Sequence, residues 1–264
     1  MLLSSNESAP ARADLEHLKS LRWTSEAAFE WQKQNGWLCG FNFLPSTAVN
    51  FIDMWHPATF DLNTIKRELG LAADIGYDAL RTNLQFLLWD DDPADYQRRL
   101  DAFLDAADSS GIKVIFCLFD DCGFSGGPPD ISVQPDPIPG IHNSRAMASP
   151  GREIVMDTGM YTRLKDYVQT IIGAYQNDSR VICWDIYNEP GNLMIFDQNG
   201  QSETSDALEP FSLELLIASF KWARACNPSQ PLTTAAWHTK MPWDKAEVGM
   251  FEHEIDQIAI ALSD

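Results

Sequence analysis

The chain has 264 residues, 45% hydrophobic and 22% charged, which suits one large α/β domain or two small ones. Its formal net charge of −19, from 38 acidic and 19 basic residues, opposes polyanionic partners, so neither nucleic acid nor an anionic membrane surface is expected. The opening MLLSSNESAPARADLEHLKS has no basic segment followed by a long apolar core. The expectation is therefore no signal peptide and a cytoplasmic location, or secretion if a leader has been removed.

From residue 36 onward, apolar runs alternate with segments of helical period. The runs read as strands are GWLCGFNFL (36–44), YDALRTNLQF (77–86), IKVIFCLF (112–119), RVICWDIY (180–187), PLTTAAW (231–237) and IDQIAIAL (255–262). Between the first two, Asp61 reads as an N-cap, Leu62, Ile65, Leu69 and Ala72 form a stripe, and Gly76 stops the helix. The next helix repeats Tyr96, Leu100, Phe103, Leu104 and Ala107 and stops at Gly111; DDDPAD (90–95) reads as its solvated start. Two further helices close at Asn177 and Asn227. Such alternation implies parallel βα units with right-handed crossovers, which fits a barrel or a doubly wound sheet. No Gly-x-Gly-x-x-Gly follows the first strand and no phosphate-binding loop motif occurs, so dinucleotide and nucleotide readings lose their usual support. The loops 120–156 and 190–210 are long enough to be functional.

Five cysteines are present, and Cys39, Cys117 and Cys183 fall inside expected strands, which favours buried thiols over disulfides. Metal-ligand spacing is absent, Cys117 and Cys122 alone being weak, so no metal and no cofactor is expected.

VICWDIYNEP (181–190) ends a strand buried on both faces in an amide, a carboxylate and a proline. Proline cannot continue the ladder, so Asn188 and Glu189 sit at the carboxyl end of the strand, where parallel α/β proteins bind ligands. The other strand exits supply Asn42, with Trp55 and His56 in the loop beyond; Arg81 and then Trp89; Asp120 and Asp121; and Trp237 and His238. Carboxylates, amides, a guanidinium and indoles on one rim suit a neutral polyol, since indoles stack on the apolar faces of sugar rings.

In the order of its elements and in WHPATFD (55–61), RTNLQFLLWDDDP (81–93), VIFCLFDDC (114–122), PIPGIHNS (137–144) and WDIYNEPGN (184–192), the stretch 36–264 resembles the retaining (β/α)8-barrel glycoside hydrolases. The likeness is to family 5-like cellulases, mannanases and 1,4-β-xylanases. It implies a TIM-barrel catalytic domain over residues 36–264, preceded by an N-terminal helical extension over 1–35. It also implies hydrolysis of β-linked glucan, mannan or xylan-type oligosaccharides or polysaccharides. Glu189 would then be the general acid/base, Asn188 would hold the sugar 2-hydroxyl and Arg81 would orient the nucleophile. Trp55, His56, Trp89, Asp120, His142, Trp237 and His238 would bind substrate. Which sugar, and whether attack is endo or exo, stays open.

The family's nucleophile, a Glu ending the seventh strand, has no counterpart after Glu189, and the expected strands number six. The expectation is an incomplete barrel of about six βα units whose open edges favour self-association. Asp185, four residues before Glu189 and so roughly 13 Å away along an extended strand, is too distant for a retaining pair. Asp120 on the neighbouring strand fits an inverting separation better, and Asp264 reads as a frayed end. Plainer readings stand beside these. Glu189 also fits a strand-end acid, Arg81 a structural ion pair, Trp89 and Trp237 core positions, and the histidines hydrogen-bonded neighbours. A second reading of the whole chain is a carbohydrate-binding remnant without catalysis. An aldolase-like enzyme is a weaker third, because no expected strand ends in lysine.

Overall fold

A computed structural model describes residues 11–237 and 253–264. Five parallel strands form one sheet: β1 (Gly40–Asn42), β2 (Ala79–Asn83), β3 (Lys113–Asp120), β4 (Val181–Asn188) and β7 (Leu232–Ala235), adjacent in that order. The intervening β5 (Met194–Asp197) and β6 (Gly200–Glu203) make a separate antiparallel hairpin within the second long loop. Burial peaks at the centre. Every residue of β4 except Asn188 is buried, whereas β1 alternates exposed and half-buried and β7 is half-buried beyond Leu232. Among the described residues β1 and β7 are the sheet's edges.

The crossover helices lie where the apolar period places them. Leu62–Asp74 starts at the Asp61 cap, which accepts the Thr64 N–H at 3.0 Å, and buries Ile65, Leu69 and Ala72. Pro93–Ser109 starts at Asp92, whose carboxylate accepts the Asp95 N–H, with proline at the first turn where its missing N–H costs nothing. Tyr161–Tyr175 and Glu209–Ala225 complete the layer. Gly76 and Gly111 end their helices at φ 98° and 72°, left-handed conformations that glycine adopts without penalty.

The expected sixth strand is instead the helix Glu254–Leu262. Its buried residues Ile255, Ile258, Ala259 and Leu262 are spaced i, i+3, i+4, i+7, the helical signature. Six of the eight residues 255–262 are apolar, which fits either state by composition, and the spacing of Ile255, Ile258, Ala259 and Leu262 separates the two. The helix packs on β7 and on Glu209–Ala225. The long loop after β3 is also less open than its composition implies. Ser149 pairs back onto Asp120 through two backbone bonds of 2.7 Å, and Arg152–Met156 is helical.

Two carboxylates tie these layers together. The Asp264 side chain, expected to be frayed, is fully buried: it accepts both terminal nitrogens of Arg224 at 2.6 Å, the Trp23 N–H at 2.7 Å and the Leu232 N–H at 2.9 Å. One side chain thus joins the N-terminal segment, the Glu209–Ala225 helix and β7. Asp121, also fully buried, accepts the hydroxyls of Tyr187 (2.8 Å) and Ser212 (2.6 Å) and the Gly191 N–H (2.7 Å). It fastens the end of β3 to β4, to the turn after β4 and to the same helix. Burial pushes the Asp121 carboxyl up to about 6, its three hydrogen bonds opposing the rise only in part.

Two predictions follow from these carboxylates. Asp264→Ala strands the Arg224 guanidinium and a strand-end N–H, and is expected to cost about 3–5 kcal/mol in urea unfolding. For Asp121, a folded value near 6 against an ordinary 3.8 means that the fold favours the protonated form. Its contribution is therefore complete below about 4 and is lost as pH rises through about 6. Urea midpoints of wild type and Asp121→Asn, compared across that window, should shift in favour of the Asn variant as pH rises, by at most about 3 kcal/mol.

Candidate active site

Strand register places polar side chains at successive levels toward the carboxyl ends: Asn42 opposite Arg81, then Asn83 opposite Cys117 and Cys117 opposite Asp185, then Asp120 opposite Asn188. A connected chain of hydrogen bonds runs across these ends. Arg81 binds Asp185 through Nε (2.7 Å) and Nη2 (2.5 Å), and Nη2 also donates to Asn188 Oδ1 at 2.9 Å. Asn188 Nδ2 donates to Asp120 Oδ1 at 2.8 Å, and Asn83 Nδ2 donates to Asp120 Oδ2 at 2.6 Å. The Cys122 N–H adds a third bond to Asp120 at 2.9 Å. Because Asn188 lies between a cation and an anion, its amide has one favourable orientation, oxygen toward Arg81 and nitrogen toward Asp120.

Arg81 is three-quarters buried, and burial opposes its charge, but Cys117, Asp185 and Asp120 more than offset that cost and raise it above its ordinary value. Burial pushes the Asp120 carboxyl up, with Asn188 and Cys122 pulling it partly back. The whole network is therefore a desolvated one in which each charge depends on its neighbours.

Glu189 is half-buried at the exit of β4 with φ 47°, a left-handed conformation unusual for a side-chain-bearing residue. Two backbone bonds of its own and one at Gly191 hold it there. Its own N–H reaches Ala235 O (2.9 Å), the Asn192 N–H returns to Glu189 O (3.0 Å), and Gly191 N–H is fixed by Asp121. Gly191 follows at φ 85°, with the Glu209 side chain 3.3 Å from where a Cβ would sit. The Glu189 side chain accepts two bonds on one oxygen, Oε2, from Asn192 Nδ2 (2.7 Å) and from Cys122 Sγ (3.1 Å).

The structure brings Arg81, Asp120, Asn188 and Glu189 together and places Trp237 beside them, half-buried, with its indole N–H on Pro190 O at 3.0 Å. His142 is exposed on the long loop, its ring 5.7 Å from Phe124 and 5.0 Å from Phe196, so it links that loop to the β5–β6 hairpin. His56 is half-buried and accepts the Ala58 N–H on its own turn. His238 lies outside the described residues.

Two expected sugar contacts sit elsewhere, and a third, Asp120, is in the cluster but already engaged. Trp55 is fully buried among Phe60, Tyr96 and Phe103, and its indole N–H donates to Asn83 O at 2.8 Å. Trp89 is 2% exposed, packed between Phe86, Tyr167 and the Arg163 guanidinium. Both belong to the core because the segments after β1 and β2 turn into the short helices Phe51–Trp55 and Phe86–Asp91, which face them inward. Asp120 is 6% exposed with both oxygens taken by protein donors, so it supports Asn188 rather than offering itself to a ligand. The same three bonds oppose its use as a catalytic partner of Glu189, and Asp185 is committed to Arg81.

Asn83, Asp185, Cys122 and Asn192 escaped the sequence reading as site residues. Asp185 carries a signal that was available, a charged side chain inside an otherwise apolar strand, and Asn83 another, an amide at a strand's carboxyl end. Asn192 lies three residues after Glu189, the spacing at which a tight turn brings two side chains together.

No protein-family model and no curated protein matches the chain. Solved structures do. An exo-β-1,4-mannosidase from Opitutaceae bacterium strain TAV5 is 17% identical, with 76% of this chain and 32% of that one covered, at TM-score 0.51. A GH5_18 protein from Streptomyces cattleya, in complex with GlcNAc, is 16% identical over 76% of this chain and 45% of its own, at TM-score 0.49. An endo-β-1,4-mannanase from Thermotoga petrophila is 14% identical over 78% of this chain and 44% of its own, at TM-score 0.49. The chain therefore spans less than half the length of each of these three. With the parallel sheet and its alternating helices, the likeness to the mannosidase shows the fold: the chain carries part of a (β/α)8 barrel.

Proposed function

We propose that the chain is part of a glycoside hydrolase that cleaves β-linked glycans, with Glu189 as general acid/base. The observation carrying this reading is the placement of Glu189, half-buried at the carboxyl end of β4 and next to an amide oriented by Arg81 and Asp120. Acid catalysis of glycoside cleavage needs a carboxyl group aimed at the leaving oxygen and held in place while the anomeric carbon gains positive charge. Asn188, fixed at both ends of its amide, would present a polar group to the sugar ring. Arg81 would supply positive charge beside the attacking carboxylate. Trp237, bonded to Pro190 O next to Glu189, suits stacking on a sugar ring, and exposed His142 on the long loop suits a hydroxyl contact with a neutral oligosaccharide. The retaining mechanism and a glucan, mannan or xylan-type substrate belong to this proposal.

One observation favours a second reading, sugar binding without turnover. The strand-borne carboxylates near Glu189 are buried: Asp120 has both oxygens taken by protein donors, and Asp185 is 3% exposed with Oδ2 held by Arg81, so neither is presented to a sugar ring.

Aryl β-glucosides, β-mannosides, β-xylosides and β-cellobiosides distinguish the two. Under the first reading at least one is hydrolysed, and Glu189→Gln lowers kcat/KM by roughly a hundredfold to ten-thousandfold. Under the second none is turned over, yet oligosaccharides change the indole fluorescence of the wild type and not of Trp237→Ala. Neither turnover nor binding would discard both.

A further inference from the structure

Cys122 stands at the centre of the site without a part in the reading above. It is buried at 7% exposure on the loop leaving β3, and its sulfur bridges the two residues that define the β4 exit. Asn188 Nδ2 donates to Sγ at 3.2 Å, and Sγ–H donates to Glu189 Oε2 at 3.1 Å. Asn192, fully buried, donates to the same Oε2 at 2.7 Å, and its own side-chain oxygen is pinned by the Met194 N–H at 2.7 Å. Among the described residues Oε1 receives no such bond. Burial, reinforced by the carboxylates of Asp120 and Glu189, pushes the Cys122 thiol far above its ordinary value, so the sulfur keeps its proton and acts as a donor.

We infer that Cys122 and Asn192 are positioning residues that hold Glu189 by Oε2 and leave Oε1 as the atom that exchanges a proton with the glycosidic oxygen. The inference rests on Glu189 being the acid/base. A carboxyl group can hand over its proton from either oxygen, and a side chain free to rotate presents the correct one only part of the time. Two donors on one oxygen remove that freedom. They also favour placing the acidic proton on the other oxygen, because an oxygen already accepting two hydrogen bonds is the poorer site for it. The bond to Cys122 completes a relay of orientation from Arg81 through Asn188 and the thiol to Glu189, so the acid/base is positioned by the same chain that orients the amide beside it.

The test combines turnover with a signal that needs none. The S–H stretching band of Cys122, identified by its disappearance in Cys122→Ser, should move to higher wavenumber in Glu189→Gln, where an amide oxygen replaces the carboxylate as acceptor. A band that stays put overturns the inference whatever the activity. In turnover, Cys122→Ala should lower kcat about tenfold on phenyl β-glycosides, whose leaving oxygen needs a proton, with KM nearly unchanged. The loss should be much smaller on dinitrophenyl β-glycosides. Cys122→Ser, nearly equal to Ala in volume but a donor, should recover most of the loss. Equal loss in Ser and Ala, or equal loss on both leaving groups, assigns Cys122 to packing and overturns the inference. If the wild-type chain hydrolyses none of these sugars, the proposed function fails, and with it any role of Cys122 in catalysis, while a shifted band still records the thiol–carboxylate bond.

Discussion

The site depends on one half-buried amide held between opposite charges. Asn188 receives a hydrogen bond from Arg81 on its oxygen and gives one to Asp120 from its nitrogen, and both of those charges are themselves bonded on their far sides, to Asp185 and to Asn83. Each partner is substantially desolvated, so the chain is stable only as a whole: removing a middle member leaves a charge or an amide without the partner that made its burial tolerable. The arrangement also does what a purely apolar sheet interior cannot. It fixes the relative register of β2, β3 and β4, because slipping any one of them by a residue would move its polar group to the opposite face.

This constraint explains why the chain tolerates strain at Glu189. A non-glycine residue at φ 47° costs of the order of 1–3 kcal/mol unless its surroundings enforce it. Here the backbone is held on both sides, by Ala235 on β7 and by Asn192 in the turn, while Asp121 grips the following glycine. The strained conformation is what turns the Glu189 side chain from the ladder toward Cys122 and Asn192. Asp121 is in this sense part of the site although it is fully buried: it is a carboxylate used as a rivet between two strands, a turn and a helix.

Much of this was legible in the sequence, and the failures have physical causes. Helix starts at Asp61 and Asp92 and stops at Gly76 and Gly111 were readable because capping and left-handed backbone restrict residue choice at single positions. The termination of β4 at Asn188 was readable because Pro190 forbids a further rung. Residues 255–262 were misread because their apolar content was weighed ahead of the helical spacing of Ile255, Ile258, Ala259 and Leu262, and the packing on β7 and the Glu209–Ala225 helix that fixes that face is tertiary. Trp55 and Trp89 were placed at the rim by their position after strands, yet a short helix in each connection rotates them inward. Cys122 was set aside by its spacing as a metal ligand. Its actual neighbours come from a different strand, and no pattern local in sequence reveals them.

Burial across the network is uneven, and the gradient has a direction. Asp185 at the centre is 4% exposed and Asp120 6%, Arg81 is 23% exposed, and Asn42 on the edge strand, which accepts from Arg81 Nη1 at 3.4 Å, is open to solvent. Electrostatic contacts are strongest where water is excluded, so the β4 end of the chain is the rigid part and the β1 end the adaptable one. A polar ligand entering over Arg81 and Asn42 would meet exchangeable hydrogen bonds first and the fixed Asn188–Glu189 pair last. That order suits discrimination: the outer contacts can be remade with each ligand at small cost, whereas the inner amide, with both ends of its dipole already committed, accepts only a group that matches its orientation.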